Sequence, residues 1–474
     1  MNAPALKWII NVDKAMDIIP VIQLDIARLI SRIKQALEAI DSKSPLFFEY
    51  ASSPDHSIDS LDKTTHSELW DDNVGSMLSS MMQLAGYSCQ SISIHRTFFS
   101  ERVARSLGRF PTKDHEKHSW KSFMTDDHTP VELSWSWSEK KTTPVVRYAV
   151  EPIGWLAGTD ADSLNTKASV VCLGDALAWA PTLDLHWYRH FLKKLTLNSW
   201  DDSHDQGKAE IAMANNPPSQ TFIGFDLEKD SIVVKYYFIP SLKAAFTNQS
   251  NLDLVTQTIL SMPEAKADAS LRQSVDIVLD FIRSYPAAEQ PQVEIFAIDC
   301  ISPADSRLKI YIRTSNTTFN NMIDVMTLGG RIPTFSEPTV ACLRGLWCSC
   351  FGVDDLPEVL SQSLRGKSHR TGGLLYYLEL KTGSAHPSSK VYLPVRHYAK
   401  SDDQVARGLS KFLEKKGKCL EGGLSYYDGV TKLCQHRSLK DGLGFQTYIT
   451  CTVKNEAISV NAYFNPETCK ERRS

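Results

Sequence analysis

The segment SRLKIYIR, residues 306–313, alternates polar and apolar side chains along its whole length. Successive side chains of an extended strand point to opposite faces of a sheet. The polar face of this segment consists of Arg307, Lys309, Tyr311 and Arg313, and the apolar face of Leu308, Ile310 and Ile312. The segment therefore predicts a strand with one cationic face and one face that packs against an apolar layer.

Nine further segments are rich in strand-forming residues, and together with 306–313 they form five pairs. The pairs are 131–137 with 145–153, 221–227 with 231–239, 293–300 with 306–313, 372–381 with 389–398, and 446–453 with 457–464. Short turns within each pair predict antiparallel hairpins, and longer helical segments separate the pairs. The pattern predicts an α/β fold: a ten-stranded antiparallel β-barrel surrounded by helices and built from αββα repeats.

Polar residues also share one face on other strands. On that face we place Glu132, Ser134 and Ser136, then Lys235 and Tyr237, and then Lys390, Tyr392 and Arg396. If helices cover the barrel, the apolar faces point outward to them and the polar faces point into the lumen. The alternative is a sandwich whose basic faces are in solvent. Amphipathic segments such as 403–416 favour the barrel, because they need a sheet surface to cover.

The chain is predicted to have two parts. Residues 1–65 form an N-terminal extension, with an amphipathic helix from Ile22 to Ile40 and a polar linker, SSPDHSIDSLDKTTHSE, at 52–68. Residues 66–474 form a single barrel domain. The helix is interpreted as a packing helix. A role in homodimerisation or partner binding is the alternative.

Composition excludes several classes of protein. The formal net charge of −3 lacks the basic excess of a nucleic-acid-binding protein. The ten cysteines have no paired CxxC spacing, which indicates reduced thiols and a cytoplasmic protein. No segment approaches the roughly 20 apolar residues of a membrane helix, and the first residues lack the order of a secretion signal. We therefore expect no nucleic acid and no membrane as partners.

Cations interleaved with tyrosines inside a barrel suit one substrate class, an anionic leaving group such as a diphosphate attached to a group that becomes a carbocation. Lysine and arginine bind the diphosphate and stabilise the charge that develops as it leaves. Tyrosine rings stabilise the carbocation by their quadrupole and exclude water that would quench it. A carboxylate at Glu132 is placed to accept a proton or hydrogen bond from an aromatic nucleophile.

From about Trp70 to Phe464 the chain resembles the fungal indole prenyltransferases of the dimethylallyltryptophan synthase type. The resemblance is carried by WKSFMT (120–125), TPVELS with Glu132, VVRYAVEPI, VVKYYFIPSLKA, SPADSRLKIY, TLGGR (327–331) and KVYLP. It implies an αββα prenyltransferase barrel that transfers a dimethylallyl or longer prenyl group from its diphosphate to an aromatic small molecule. It also implies a cytoplasmic enzyme of secondary metabolism that needs neither a metal nor another cofactor.

The resemblance assigns roles to individual residues. It implies that Glu132 hydrogen-bonds the acceptor and that Phe123 and Met124 of WKSFMT line the acceptor site. Diphosphate binding falls to Arg147, Lys235, Arg307, Lys309 and Lys454, and shielding of the carbocation to Tyr237, Tyr311, Tyr392 and Tyr463.

Four positions depart from the family pattern. Three of them, Phe222, Ile239 and Glu294, are predicted to line the acceptor site. Phe222 stands where the tryptophan C4 enzymes carry a lysine, Ile239 replaces a tyrosine, and Glu294 stands where an arginine holds the amino-acid carboxylate. Lys390 replaces a glutamine and adds a cation to the diphosphate site. A carboxylate at 294 would repel the carboxylate of a free amino acid, so we expect an uncharged indole-containing acceptor. A phenolic or polyketide ring is the first alternative, and a non-catalytic barrel that binds an aromatic ligand is the second.

One motif points to a different chemistry. Asp201-Asp202-Ser203-His204-Asp205 matches the DDxxD pattern by which all-helical isoprenoid enzymes hold magnesium. The strand-rich chain does not fit that all-helical fold, so the motif is interpreted as a solvated loop.

Overall fold

The computed structural model describes residues 60–112, 120–197, 218–366 and 368–469. Ten strands form one closed antiparallel barrel in which each strand pairs with its neighbours in sequence and the last pairs with the first. The strands are β1 (Val131–Trp137), β2 (Val145–Val150), β3 (Thr221–Leu227), β4 (Ile232–Phe238), β5 (Gln292–Asp299), β6 (Leu308–Thr314), β7 (Leu374–Leu380), β8 (Ser388–Leu393), β9 (Gln446–Lys454) and β10 (Ala457–Phe464). The predicted fold is confirmed.

Helices lie between the hairpins. They are α1 (Ser60–Trp70), α2 (Ser76–Leu84), α3 (Cys89–Phe98), α4 (Lys167–Asp175), α5 (His186–Leu195), α6 (Ser241–Phe246), α7 (Asn251–Leu260), α8 (Pro263–Ala267), α9 (Ala269–Arg283), α10 (Phe319–Met326), α11 (Glu337–Phe351), α12 (Pro357–Leu360), α13 (Val395–Tyr398), α14 (Asp402–Lys415) and α15 (Tyr426–Leu433). Single turns of other helix types, Asp71–Gly75, Phe99–Val103, Ala104–Ser106, Ala176–Ala178 and Glu421–Gly423, join some of them.

Two separate apolar clusters result from the alternation of side chains along the strands. Leu308, Ile310 and Ile312 belong to the large core between the barrel and the helices. Tyr311, from the opposite face of the same strand, belongs to a smaller cluster inside the barrel. The polar faces therefore point into the lumen, as the sequence predicts, and the alternative of a solvated basic sandwich is wrong.

The segment expected to be a linker is partly helical. Helix α1 occupies its second half and continues to Trp70, whose indole is buried and donates to the Gly108 carbonyl at 3.0 Å. His66 is buried on the same helix and accepts from the Phe110 amide through Nδ1 at 2.8 Å. The hydrophilic composition of the segment did not predict this helix, because only a few of the helix's side chains are buried.

The sequence also placed Arg396 on a strand with Lys390 and Tyr392, and that placement is wrong. Strand β8 ends at Leu393, and residues 395–398 form the short helix α13. Pro394 between them has no amide hydrogen to continue the strand ladder. The other nine strands differ from the predicted segments by at most three residues at either end.

Two bulges alter which residues face the lumen. Along the β5–β6 ladder Val293 pairs with Ile312 and Ile295 with Tyr311, which leaves Glu294 as the extra residue. Between β9 and β10, Gln446 pairs with Phe464 and Ile449 with Ala462, so β9 also carries one extra residue. A bulge turns an additional side chain to one face of the sheet. Glu294 and Thr447 reach the lumen in this way.

Two segments for which the sequence made predictions, the helix from Ile22 to Ile40 and the acidic motif at 201–205, lie outside the described residues. None of the helices in the described segments is long and apolar enough to cross a membrane.

The contact between α11 and α14 gives a test of the helical layer. A methyl group on Gly408 of α14 would meet the Ser349 carbonyl oxygen well inside contact distance, whereas one on Gly345 of α11 would meet nothing within 4 Å. We expect Gly408→Ala to destabilise the protein by about 1–3 kcal/mol. The matched control Gly345→Ala should be neutral or stabilising by up to ~1 kcal/mol, because alanine is the better helix former. Urea unfolding of both variants would show it, and equal stabilities would contradict the packing.

Candidate active site

One end of the lumen carries a ring of cations held by buried carboxylates. Lys235 Nζ contacts both oxygens of Asp226 at 2.6 Å, and Arg147 Nε lies 3.2 Å from the same carboxylate. Asp299 binds Lys309 and Arg307, each at 2.5 Å. Each carboxylate thus neutralises and positions two cations.

Glu379 completes this ring. It binds Arg307 and Lys454, each at 3.0 Å. With Lys390, the ring contains six cations and three carboxylates, and its excess of positive charge suits a diphosphate. The structure therefore brings together all six residues predicted to bind the diphosphate.

Lys390 differs from the other five cations of the ring. No carboxylate lies within ion-pair distance of it among the residues that the structure describes. Its ammonium instead lies 5.7 Å, 5.2 Å and 5.8 Å from the ring centroids of Tyr377, Tyr392 and Tyr463, respectively. Burial and the charges of Arg147, Lys235 and Lys309 hold the pKa of Lys390 well below its usual range.

Lys309 shows the same effect to a smaller extent. Burial lowers its pKa to about 8, although Asp299 opposes the shift. A bound diphosphate would add negative charge beside both lysines and raise both pKa values.

The middle of the lumen is lined by tyrosine rings. Tyr311 lies 6.2 Å from Tyr237, 5.8 Å from Tyr392 and 5.4 Å from Tyr377, measured between ring centroids. Tyr463 lies 5.7 Å from Tyr392. The four tyrosines predicted to shield a carbocation thus form one layer, which adjoins the cation ring through Lys390.

Glu132 lies beyond the tyrosine layer, where β1 begins. The Thr447 hydroxyl donates to its Oε1 at 2.7 Å. Burial raises the pKa of Glu132 to about 7, against the opposing effects of this hydrogen bond and of Arg396. A carboxylate with this pKa is suited to accept a proton at neutral pH.

Phe123 and Met124 belong to a segment that Glu151 holds against the barrel. The buried Glu151 carboxylate accepts hydrogen bonds from Trp120 Nε1 at 2.8 Å, Ser122 Oγ at 2.5 Å, Ser219 Oγ at 2.8 Å and the Phe123 amide at 3.2 Å. The Phe123 ring stacks on Phe222 with centroids 6.3 Å apart. Ile239, just beyond the end of β4, is buried.

Glu294 does not present the unpaired charge that the sequence led us to expect. Its carboxylate is bidentate with Arg313, at 2.6 Å to Nε and 2.8 Å to Nη2. The pair is neutral as a unit, so the expected repulsion of an acceptor carboxylate loses its physical basis. Sequence alignment alone could not show this, because the bulge in β5 brings Glu294 to the face of Arg313.

Asp126, His369 and His397 form a cluster beside Arg396. Their potential ligand atoms all lie within 4.8 Å of one another. The Thr371 hydroxyl occupies the position between them, at 3.1 Å from Asp126, 2.8 Å from His369 and 2.7 Å from His397. Arg396 Nε also lies 3.0 Å from the Asp126 carboxylate, and its charge opposes a metal cation. We interpret the cluster as a hydrogen-bonded network.

Several functional residues were not predicted from the sequence. Asp226, Asp299 and Glu379 each lie on the lumen face of a predicted strand, two residues from another inward position, and that parity could have identified them. Tyr377 and Tyr448 could have been found in the same way. Only the cations and tyrosines of the quoted motifs drew attention.

The closed barrel, with a cation ring, a tyrosine layer and a buried carboxylate along its lumen, fits the class predicted from the sequence, an aromatic prenyltransferase. Residues 66–428 match the family Tryptophan dimethylallyltransferase, and the chain belongs to this family.

Comparisons with individual proteins give the same class. The chain is 54% identical over 446 residues to the 4-O-dimethylallyl-L-tyrosine synthase of Claviceps purpurea, covering 94% of this chain and 98% of that protein. It is 30% identical over 411 residues to a 7-dimethylallyltryptophan synthase of Aspergillus fumigatus, covering 84% of each. The crystal structure of NotF with brevianamide F and DMSPP superposes with a TM-score of 0.70 at 21% identity, covering 88% of this chain and 98% of that one.

Lys390 allows a test of the donor site. We expect Lys390→Gln to raise KM for dimethylallyl diphosphate about 10-fold or more, because a hydrogen bond to a charged group contributes ~1.5–3 kcal/mol. The control Lys411→Gln changes an exposed lysine on α14 and should have no effect. Steady-state kinetics with varied donor would measure both, and an unchanged KM in Lys390→Gln would place this lysine outside the donor site.

Proposed function

We propose that this enzyme transfers a dimethylallyl group from dimethylallyl diphosphate to the phenolic oxygen of a free amino acid, L-tyrosine. The proposal rests on the charged groups at the acceptor end of the lumen. Arg313, Arg370 and Arg396 lie there together with Glu294 and Asp126. This end therefore carries charged groups beside the apolar side chains of Phe123, Phe222 and Ile239. A zwitterionic amino acid finds both signs of charge there, whereas an uncharged polycycle would leave the charge of Arg370 unmatched.

The relatives support this choice of acceptor. The relative at 54% identity is a tyrosine O-dimethylallyltransferase by its name, and it spans nearly the whole chain. The phenolic acceptor was the first alternative on the sequence, and the charge-paired state of Glu294 removes the argument that favoured an uncharged indole over it.

The donor end would act first. The six cations of the ring bind the diphosphate and stabilise its charge while the bond between C1 of the allyl group and the bridging oxygen breaks. The resulting allyl cation lies against Tyr237, Tyr311, Tyr392 and Tyr463, and Tyr377 adds a fifth ring. Because the protein itself supplies the neutralising charge, we propose that the transfer needs no metal.

The acceptor end would then complete the reaction. The phenolic oxygen attacks C1 of the allyl cation and forms the new C–O bond while its proton passes to Glu132. Diphosphate leaves with the electron pair of the broken bond. Thr447 fixes the Glu132 carboxylate, and the raised pKa of Glu132 lets it hold that proton near neutral pH.

An indole acceptor is the second candidate, because the chain is 30% identical to a 7-dimethylallyltryptophan synthase. We expect kcat/KM for L-tyrosine to exceed that for L-tryptophan and for a tryptophan-containing cyclic dipeptide, with dimethylallyl diphosphate as donor and chelator present. Mass spectrometry and NMR of the tyrosine product should show an ether. A preference for either indole would overturn the tyrosine proposal, and a need for added magnesium would overturn the metal-independent mechanism.

Glu132 gives a second test. Glu132→Gln keeps the shape but cannot accept the phenolic proton, so kcat should fall by about 10²–10⁴-fold with little change in KM for the donor. In the wild type the base form is needed, and kcat/KM for the acceptor should rise with pH through about 7, the pKa of Glu132. The variant should lose this limb of the pH profile. A normal turnover in Glu132→Gln would show that the acceptor lies elsewhere.

A further inference from the structure

The loop that precedes β7 is fixed at several points. Arg313 Nη1 donates to the carbonyl oxygens of Thr371 at 2.9 Å and Gly372 at 3.3 Å. The Gly373 amide donates to the Tyr398 hydroxyl at 2.6 Å. The Thr371 hydroxyl joins the network of Asp126, His369 and His397. A loop anchored in this way can hold a side chain in a defined position.

Arg370 is the side chain that this loop presents to the acceptor end. Its guanidinium carbon lies 4.1 Å from the centroid of the Phe123 ring, which stacks in turn on Phe222. These two aromatic residues were predicted from the sequence to contact the acceptor. Arg370 therefore lies next to the predicted acceptor site, on a loop that is held by Arg313 of strand β6.

The charge of Arg370 is not matched by a carboxylate. Within the part of the chain that the structure describes, no carboxylate lies within ion-pair distance of its guanidinium. The two other arginines at this end are paired. Arg313 is held by Glu294, and Arg396 by Asp126 and by the Tyr448 hydroxyl. Arg370 is exposed, and the donors of its guanidinium are accessible to a ligand.

We propose that Arg370 binds the α-carboxylate of the amino-acid acceptor and thereby selects amino acids over their decarboxylated analogues. A guanidinium and a carboxylate form two parallel hydrogen bonds, which fix orientation as well as affinity. The arginine that the family resemblance leads one to expect on β5 is replaced by Glu294. Arg370 supplies the missing cation from the loop before β7. This inference rests on the proposed function, because it takes the acceptor to be a free amino acid.

The test compares L-tyrosine with tyramine, which lacks the carboxylate, in the wild type and in Arg370→Gln. We expect the variant to lose about 10- to 100-fold in kcat/KM for tyrosine, chiefly through KM, because one charged pair is removed. Its kcat/KM for tyramine should change little. Arg370→Lys should keep part of the preference for tyrosine, since lysine keeps the charge without the bidentate geometry.

Arg407→Gln is the matched control. Arg407 lies on α14 with its guanidinium carbon 4.2 Å from the Tyr427 ring centroid, so the variant removes another arginine stacked on an aromatic ring. We expect the same kcat/KM as the wild type for both substrates. Thermal unfolding of each variant would separate a folding defect from a binding defect.

The outcomes distinguish this inference from the proposed function. If Arg370→Gln lowers the rates with tyrosine and tyramine equally, or changes neither, the carboxylate assignment is wrong although tyrosine remains the acceptor. If the wild type uses tryptophan instead of tyrosine, the proposed acceptor is wrong. The comparison of tryptophan with tryptamine then tests Arg370 in the same way. A loss specific to the carboxylate-bearing substrate supports the assignment in either case.

Discussion

The burial of like charges inside a closed barrel is the constraint on which the rest of this structure depends. A lone buried ammonium or guanidinium is strongly disfavoured, because the low-dielectric interior replaces none of its hydration. The barrel meets this constraint because carboxylates on some strands lie directly opposite cations on the neighbouring strands. Asp226 is paired across a strand with Arg147, and Asp299 with Lys235, so carboxylates and cations of adjacent strands meet on one face. The ring nevertheless has more cations than carboxylates, an excess of positive charge that suits a diphosphate.

The tyrosine layer separates two charged regions that have different tasks. Below it the cation ring holds an excess of positive charge, and above it the arginines and carboxylates are nearly balanced. Tyrosine faces of this kind attract a cation and exclude bulk water. Gly224 is part of this arrangement, since a side chain there would press within 3.0 Å of the Tyr237 ring. The tyrosine layer therefore separates the cation ring from the second charged region.

Much of this could be predicted from the sequence, because a period of two assigns every strand residue to one face. That rule gave the five hairpins, the closed barrel and the shared face of Arg307, Lys309 and Tyr311, and the family resemblance assigned the roles predicted for the cations and tyrosines. It failed where the ladder is irregular or ends. Glu294 and Thr447 reach the lumen because bulges shift the register, and Arg396 lies on a helix because Pro394 ends β8. Ion-pair partners such as Glu294 with Arg313 also depend on side-chain geometry that parity does not contain.

The acceptor end shows why a single substitution is a poor guide to specificity inside such a network. Considered alone, Glu294 in place of an arginine reverses the charge at that position. In the fold it is the partner of Arg313, and Arg313 in turn holds the loop that carries Arg370. Glu294 therefore neutralises Arg313, and the charge of Arg370 on the loop before β7 is not neutralised by a carboxylate of the described residues. Acceptor choice depends on the net charge and geometry of the connected group, in which Arg370 has no carboxylate partner among the residues that the structure describes.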